Sequence, residues 1–276
     1  MSLLSSILLG LIQGLAEFLP ISSSGHLAIA EHFLGQAGVP ATPDFFDVLL
    51  HLGTLVAVFV AYWKDIREMI VELIDGVRDL AHGTTPTPMP PARRLILLII
   101  VATVPLFAVL PIKDWIEGLS GNIYFVAGAL IVTGFLLFAS DRVKKGRKAE
   151  RSARLLDVFW VGVAQAIATC PGISRSGTTI TAGGLDRKSA VRFSFLMSIP
   201  AILGANILTL KDAITENTII VSEIPVYLVG VAVAAVVGYA CIRLLKMIAD
   251  KGKFGWFAYY CWAAGLIVLA LTLVLG

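Results

Sequence analysis

Two long apolar stretches of this chain, residues 3–38 and 155–185, are each broken in the middle by a short polar turn. The first turn is Pro20-Ile21-Ser22-Ser23-Ser24-Gly25 and the second is Pro171-Gly172-Ile173-Ser174-Arg175-Ser176-Gly177. Such breaks free backbone N–H and C=O groups that lipid cannot satisfy. At membrane depth they are tolerated only inside protein or beside a wet cavity. They therefore restrict the fold more than the apolar runs do. Composition supplies the membrane: 57% of the 276 residues are hydrophobic and 15% charged, against about 25% charged in soluble domains. Six further runs, at about 46–63, 93–112, 121–140, 190–210, 224–242 and 255–275, come near the ~20 residues a span requires.

The basic residues decide how the broken stretches run. Segments 64–94, 141–154, 186–192 and 243–253 together hold 19 of the 22 Lys and Arg residues. The connections between them hold only Lys113 and Lys211, and Arg175 lies in the second break. Positive-inside bias puts the four basic segments in the cytoplasm. If 155–185 crossed once, the basic segments on either side of it would face opposite compartments. Both broken stretches are thus read as re-entrant helix–loop–helix segments that enter and leave on one side. The predicted fold is all-α and integral to the membrane, with six transmembrane helices plus two re-entrant segments. It forms a single membrane domain over 1–276, with internal repeats at about 1–140 and 155–276. Each half has three crossings, an odd number, so the repeats have inverted topology, which places a site near the midplane where broken helices meet. Aligned without gaps, 13–26 on 165–178 matches at Gln13/Gln165, Ala16/Ala168, Ile21/Ile173, Ser22/Ser174, Ser24/Ser176 and Gly25/Gly177.

Within this frame the chemistry differs between halves. Glu17, Ser23 and His26 align with Thr169, Arg175 and Thr178. One half offers a carboxylate, a hydroxyl and an imidazole; the other offers a cation. Glycine-rich turns and half-helix N-termini form anion-binding concavities, and a guanidinium gives planar, bidentate donors suited to phosphate. This describes a pocket for a phosphorylated ligand. Gln13 and Glu17, four apart, share one helix face and together can ligate a hard divalent cation, Mg²⁺ or Ca²⁺. Ser23 can attack phosphorus with Glu17 or His26 as base. Ser22, Ser24, Ser174 and Ser176 read equally well as helix caps. Asp47 and His51, also four apart, read as interfacial polar residues. Trp63, Trp115, Trp160, Trp256 and Trp262 read as interface anchors.

The remaining features exclude more than they assign. Cys170, Cys241 and Cys261 lie in apolar segments without metal-type spacing and read as small core residues. The first apolar run has no Lys or Arg before it and reads as part of the fold, not as a signal peptide. Residues 82–91 are a Pro-rich cytoplasmic linker, and 143–151 are a solvated basic run. No soluble domain and no nucleic-acid partner is expected.

The pair of motifs resembles the undecaprenyl-diphosphate phosphatase family associated with bacitracin resistance. Gln13 and Glu17 fill its (E/Q)xxxE segment. Pro171, Gly172, Ser174, Arg175, Ser176 and Thr179 fill its PGxSRSxxT segment. The resemblance implies a bacterial inner-membrane enzyme with its active site open to the extracytoplasmic side. Its reaction removes one phosphate from a C55 polyprenyl diphosphate and so recycles the lipid carrier for cell-wall synthesis. It implies a divalent cation, Mg²⁺ or Ca²⁺, and a homodimer. By position it makes Glu17, Ser23, His26 and Arg175 catalytic, and Gln13, Ser22, Ser24, Gly25, Gly172, Ser174, Ser176, Gly177 and Thr179 substrate-binding. Gln13 is the amide variant of a position that is glutamate in some members, which puts more of the metal binding on Glu17. The rival reading is a polyprenyl-phosphate transporter or flippase with the same midplane anion site, because inverted repeats with broken helices are also a transporter architecture.

Overall fold

The computed structural model describes residues 1–84, 86–142, 153–182, 185–215, 220–251 and 254–275. Among these the chain is helical and no strand forms. The first broken stretch becomes α1 (Leu3–Phe18) and α2 (Ser23–Gln36). Ser2 caps α1 by accepting the Ser5 N–H at 3.0 Å. Leu19, held extended before Pro20, ends it, as the residue before proline is steered away from helix. The second broken stretch becomes α8 (Leu155–Ile167) and α9 (Arg175–Ala182).

Among the described residues, six helical segments are long and apolar enough to cross a membrane: 44–61, 91–121, 123–140, 187–215, 221–249 and 255–274. These carry α3 (Asp44–Ala61), α5 (Pro91–Thr103), α7 (Ile123–Ser140), α10 (Arg187–Thr215), α11 (Ile224–Lys251) and α12 (Gly255–Leu275). The segment at 91–121 is not one helix. From Val104 to Ile112 it tightens to 3-10 geometry, where Pro105 and Pro111 remove N–H donors, and the short α6 (Lys113–Gly118) follows. The basic stretch 64–94 holds nearly all of a helix, α4 (Trp63–Ala81). Ile66 and Met69 pack it on the core while Ile70, Leu73, Ile74 and Val77 stay exposed. That i, i+3, i+4 spacing is the sequence signal of an amphipathic helix. The basic run 143–151 lies wholly outside the described residues.

Packing pairs the halves. α1 lies along α11, α8 lies along α5 and its 3-10 extension, α3 meets α10, and α7 meets α12. The α1 seam is tight because Gly10 faces the Gly230 backbone: a Cβ on Gly10 would sit 2.4 Å from the Gly230 carbonyl oxygen. Gly162 of α8 meets the Ala102 carbonyl of α5 in the same way, at 2.2 Å. Small residues let helices in lipid approach this closely and gain dispersion contact.

The loops gather at two ends. At one end Arg192 bonds Asp65 at 2.6 Å, Arg187 meets Asp141 at 2.9 Å, Lys246 donates to the Ala61 carbonyl at 3.3 Å and Arg94 to the Ala153 carbonyl at 3.0 Å. At another, the Met1 ammonium pairs with Glu223, and Lys113 lies 3.9 Å from Asp212. Cys241 and Cys261 are buried and all three cysteines are free, as their apolar settings imply. Trp63, Trp115, Trp160 and Trp256 are exposed, as anchors would be. Trp262 is half-buried and packs against Phe135, Phe138 and Tyr259.

Candidate active site

The two turns touch. Ser22, at the start of α2, has φ +72°, a left-handed conformation unusual for serine. Its Oγ accepts the Gly25 N–H at 3.3 Å, capping α2, and also the Gly172 N–H at 3.2 Å across the halves. Gly172 has φ +95°, and a Cβ there would lie 2.6 Å from the Ala129 side chain and 2.7 Å from the Val126 carbonyl oxygen. Only glycine fits. Thr133 of α7 completes the junction: its hydroxyl donates to the Gly172 carbonyl at 2.8 Å and accepts the Ser174 N–H at 3.2 Å. The first N–H groups of α2 and α9 have no partner within their own helices, so both positive helix ends belong to one small region.

Glu17 lies beside that region, in the last turn of α1, with its side chain 3% exposed. A carboxylate is unfavourable at a helix C-terminus and costs several kcal/mol when buried without partners. The structure supplies the partners. Arg175, the first residue of α9, donates from Nη2 to Glu17 Oε1. Ser23, the first residue of α2, donates from Oγ to Glu17 Oε2 at 2.6 Å. Gln13 Nε2, one turn back on α1, reaches the same oxygen at 3.3 Å. His51 of α3 brings Nε2 to 3.9 Å from it. The reversal over Leu19–Ser22 is what returns Ser23 to Glu17 six residues later.

His26 sits to the side. Its Nδ1 lies 2.8 Å from the Ser22 carbonyl and its Nε2 2.8 Å from the Tyr260 hydroxyl, the two rings nearly parallel. In the second half, Gln165 Nε2 donates to the Arg175 carbonyl at 2.7 Å and the Thr179 hydroxyl at 2.6 Å, bracing the start of α9.

The structure thus brings Gln13, Glu17, Ser23 and Arg175 into one hydrogen-bonded group. Ser22, Ser174 and Thr179 spend their side chains on the frame. Ser24 and Ser176 each lie within 3.4 Å of the serine two residues before. His51, Tyr260 and Thr133 were missed as participants. His51 carried one signal, its spacing from Asp47, which reads as interfacial; Tyr260 and Thr133 carried none.

Among the described residues, no group of three or more His, Cys, Asp or Glu side chains could hold a metal ion. One observation still fits a hard cation. Gln13 is fully buried, and its Oε1 has no hydrogen-bond partner. An unpaired amide oxygen beside a carboxylate suits an ion that takes its other ligands from phosphate and water, the usual habit of Mg²⁺.

Residues 6–267 match the family described as Bacitracin resistance protein BacA. The chain belongs to the BacA family. It is 42% identical over 276 residues to a protein of Syntrophotalea carbinolica named undecaprenyl-diphosphatase, covering 99% of this chain and all of that one. It is 39% identical to proteins of the same name from Methanosphaera stadtmanae, with both chains covered in full, and from Methanobrevibacter smithii, with 97% of each covered. The BacA family assignment and the six apolar helices make this a multi-pass membrane protein.

Proposed function

We propose that this BacA-family protein hydrolyses undecaprenyl diphosphate to undecaprenyl phosphate and inorganic phosphate, recycling the lipid carrier for cell-wall synthesis, with the Glu17–Ser23–Arg175 group as its active site. The observation that carries the reading is the 2.6 Å hydrogen bond from the Ser23 hydroxyl to Glu17, a nucleophile within reach of its base, joined to a guanidinium from the other half.

Glu17 Oε2 takes the Ser23 proton as Oγ attacks the terminal phosphorus. The bond from that phosphorus to the bridging oxygen breaks, the electron pair leaves with the lipid monophosphate, and the proton on Glu17 follows it. Water then attacks the phosphoserine, gives a proton to Glu17, and the P–Oγ bond breaks. Ser23 recovers its proton from Glu17 and phosphate departs. Arg175 spends one N–H on Glu17; its remaining donors and the N–H groups opening α2 and α9 hold the phosphate oxygens. His26, its Nδ1–H fixed on the Ser22 carbonyl, accepts the Tyr260 hydroxyl at Nε2 and can exchange protons with the leaving group only once that bond opens. Gln13 and Glu17 would hold the divalent cation, which when bound neutralises diphosphate charge.

The same proposal includes the finer architecture: two re-entrant segments in inverted repeats. Several observations support it. The chain before α8 and after α9 bonds to the basic end, through Ala153 and Arg187. The offset relating Gln13 to Gln165 also relates Gly10 to Gly162, each at a close helix contact. Basic loops at one end favour a cytoplasmic face there and an extracytoplasmic opening for the site. The inner-membrane location and the homodimer rest on the family resemblance alone.

The test is phosphate release by purified protein in detergent. Wild type releases phosphate from undecaprenyl diphosphate, Glu17→Gln and Ser23→Ala do not, and a phosphoserine is trapped at position 23. Lipid binding without phosphate release would return the transporter reading. Full activity in Ser23→Ala would move attack to water.

A further inference from the structure

We propose that α4 lies along the membrane surface at the basic end of the bundle, with its uncovered apolar row sunk into the leaflet there and Arg67 and Arg78 on the lipid phosphates. The inference rests on the multi-pass membrane assignment and not on the phosphatase reading.

Where α4 starts limits where it can go. The spanning helix α3 ends at Ala61 and α4 begins at Trp63, with Tyr62 the one residue between them. Tyr62, at φ −121° and ψ 22°, leaves helical geometry and breaks the run. α4 therefore sets out from the membrane face. It cannot cross, because eight of its 19 residues are charged. Three contacts fix the sides that face protein. Ile66 and Met69 pack on the core. Arg93, near the start of α5, pairs with Glu72 at 3.2 Å and with Asp79 at 2.8 Å. Asp65 accepts from Arg192 at 2.6 Å.

These contacts leave Ile70, Leu73, Ile74 and Val77 between 48% and 63% exposed. At about 3.6 residues per turn they form one continuous row, with exposed Trp63 at its head. The charges are sorted around that row. Arg67 and Arg78 fall along one edge of it, whereas Glu68, Glu72, Asp75 and Asp79 fall on the opposite side of the helix. A second protein docked on the row would not require this sorting by sign; an anionic surface does. Arginines at the edge lay their stems on apolar surface and reach phosphate with their heads, and the acids are kept away from it. Arg78 also meets Asp75 at 3.5 Å, but that pair is exposed and worth little. A helix with a sharply divided apolar and charged surface and low net hydrophobicity lies in the plane of the interface.

The test uses full-length protein in vesicles of phosphatidylethanolamine and phosphatidylglycerol. Cys170→Ala removes the one cysteine that is not buried, and spin labels are then placed at Val77→Cys or at Glu68→Cys. EPR compares collisions with oxygen, which concentrates in lipid, and with a neutral nickel chelate, which stays in water. The label at 77 is relaxed mainly by oxygen and the label at 68 mainly by nickel. Ile70→Cys repeats the first measurement should the Val77 variant not fold. Adding Arg67→Glu/Arg78→Glu shifts the label at 77 toward nickel; an unshifted label overturns the headgroup contacts. Nickel dominating at both positions overturns the proposal. So does a label at 77 shielded from both reagents, which would place protein over the row, a second copy of this chain if spin–spin broadening accompanies it. No readout depends on turnover, so failure of the phosphatase reading would leave these outcomes unchanged.

Discussion

The first and second turns share one backbone device and differ in what they carry. Ser22 Oγ caps the Gly25 N–H at 3.3 Å, and Ser174 Oγ caps the Gly177 N–H at 3.2 Å. Ser22 and Ser24 hydroxyls lie 3.4 Å apart, and those of Ser174 and Ser176 lie 3.3 Å apart. The residue between each serine pair opens a half-helix. In the first turn it is Ser23 and in the second Arg175, and both end on the Glu17 carboxylate. Gln13 and Gln165 also match, but Gln13 reaches a carboxylate while Gln165 braces backbone. The frames of the two turns match and their chemistry does not. A site built this way needs both halves, because neither turn holds acid, hydroxyl and cation together.

The largest effects come from erasing the difference. Arg175→Ser gives the second turn the first turn's residue. Removing one electrostatic donor of this kind costs about 10²–10³ in kcat, and loss of the base in Glu17→Gln costs about 10²–10⁴. Phosphate release from undecaprenyl diphosphate measures both. Arg175→Ser also takes the guanidinium from Glu17, 3% exposed, leaving the buried carboxylate to its Ser23 and Gln13 hydrogen bonds and the more distant His51, a loss of up to about 3–5 kcal/mol. The double variant Glu17→Gln/Arg175→Ser removes that charge and therefore melts above Arg175→Ser alone. A double variant that melts lower would mean the ion pair is not what holds the turns together.

A middle-sized effect separates the matched glycines. A Cβ on Gly25 would lie 2.8 Å from the Gly172 Cα, backbone that is itself wedged against α7 and cannot yield. On Gly177 it would meet the Leu137 and Ser174 side chains at 3.3 Å, and the leucine can shift. Both substitutions gain about 1 kcal/mol of helix propensity, but only Gly25→Ala incurs overpacking, about 1–3 kcal/mol. Thermal melts should therefore show Gly25→Ala destabilised and Gly177→Ala near wild type. Equal losses would mean that the two turns are equally tight.

Much of this was legible in the sequence, and the reasons are physical. Six apolar runs without a central charge read directly as the six long helical segments, one of them interrupted at its prolines, since about 20 apolar residues have few other homes in a membrane protein. Glu17 and Arg175 could be expected to meet, because a lone guanidinium between apolar segments must find an anion. The α4 helix is hidden among its own charges: Lys64, Arg67 and Arg78 read as residues that set topology and mask the apolar spacing between them. His51 reads as an interfacial residue beside Asp47, and its spatial neighbour Glu17 lies 34 residues earlier, on another helix. Tyr260 against His26 and Thr133 against Gly172 are likewise contacts between distant segments, and no local pattern announces them. Trp262 also packs against Gly134, a contact between distant segments that composition does not announce.

The smallest effect tests the junction itself. Ser22 Oγ takes two N–H groups, one of them from Gly172 in the other half, while Ser174 Oγ takes one, within its own turn. Alanine at either position strands buried donors, at about 1–3 kcal/mol for an unsatisfied group, so Ser22→Ala loses more than Ser174→Ala by roughly the cost of one further donor. Melting alone separates these two poorly. Hydrogen exchange separates them by site: the Gly172 amide exchanges faster in Ser22→Ala and keeps wild-type protection in Ser174→Ala, where Thr133 still holds the Gly172 carbonyl. Unchanged Gly172 protection in Ser22→Ala would mean that the halves are joined by packing alone, and the serine would then be a helix cap like its counterpart.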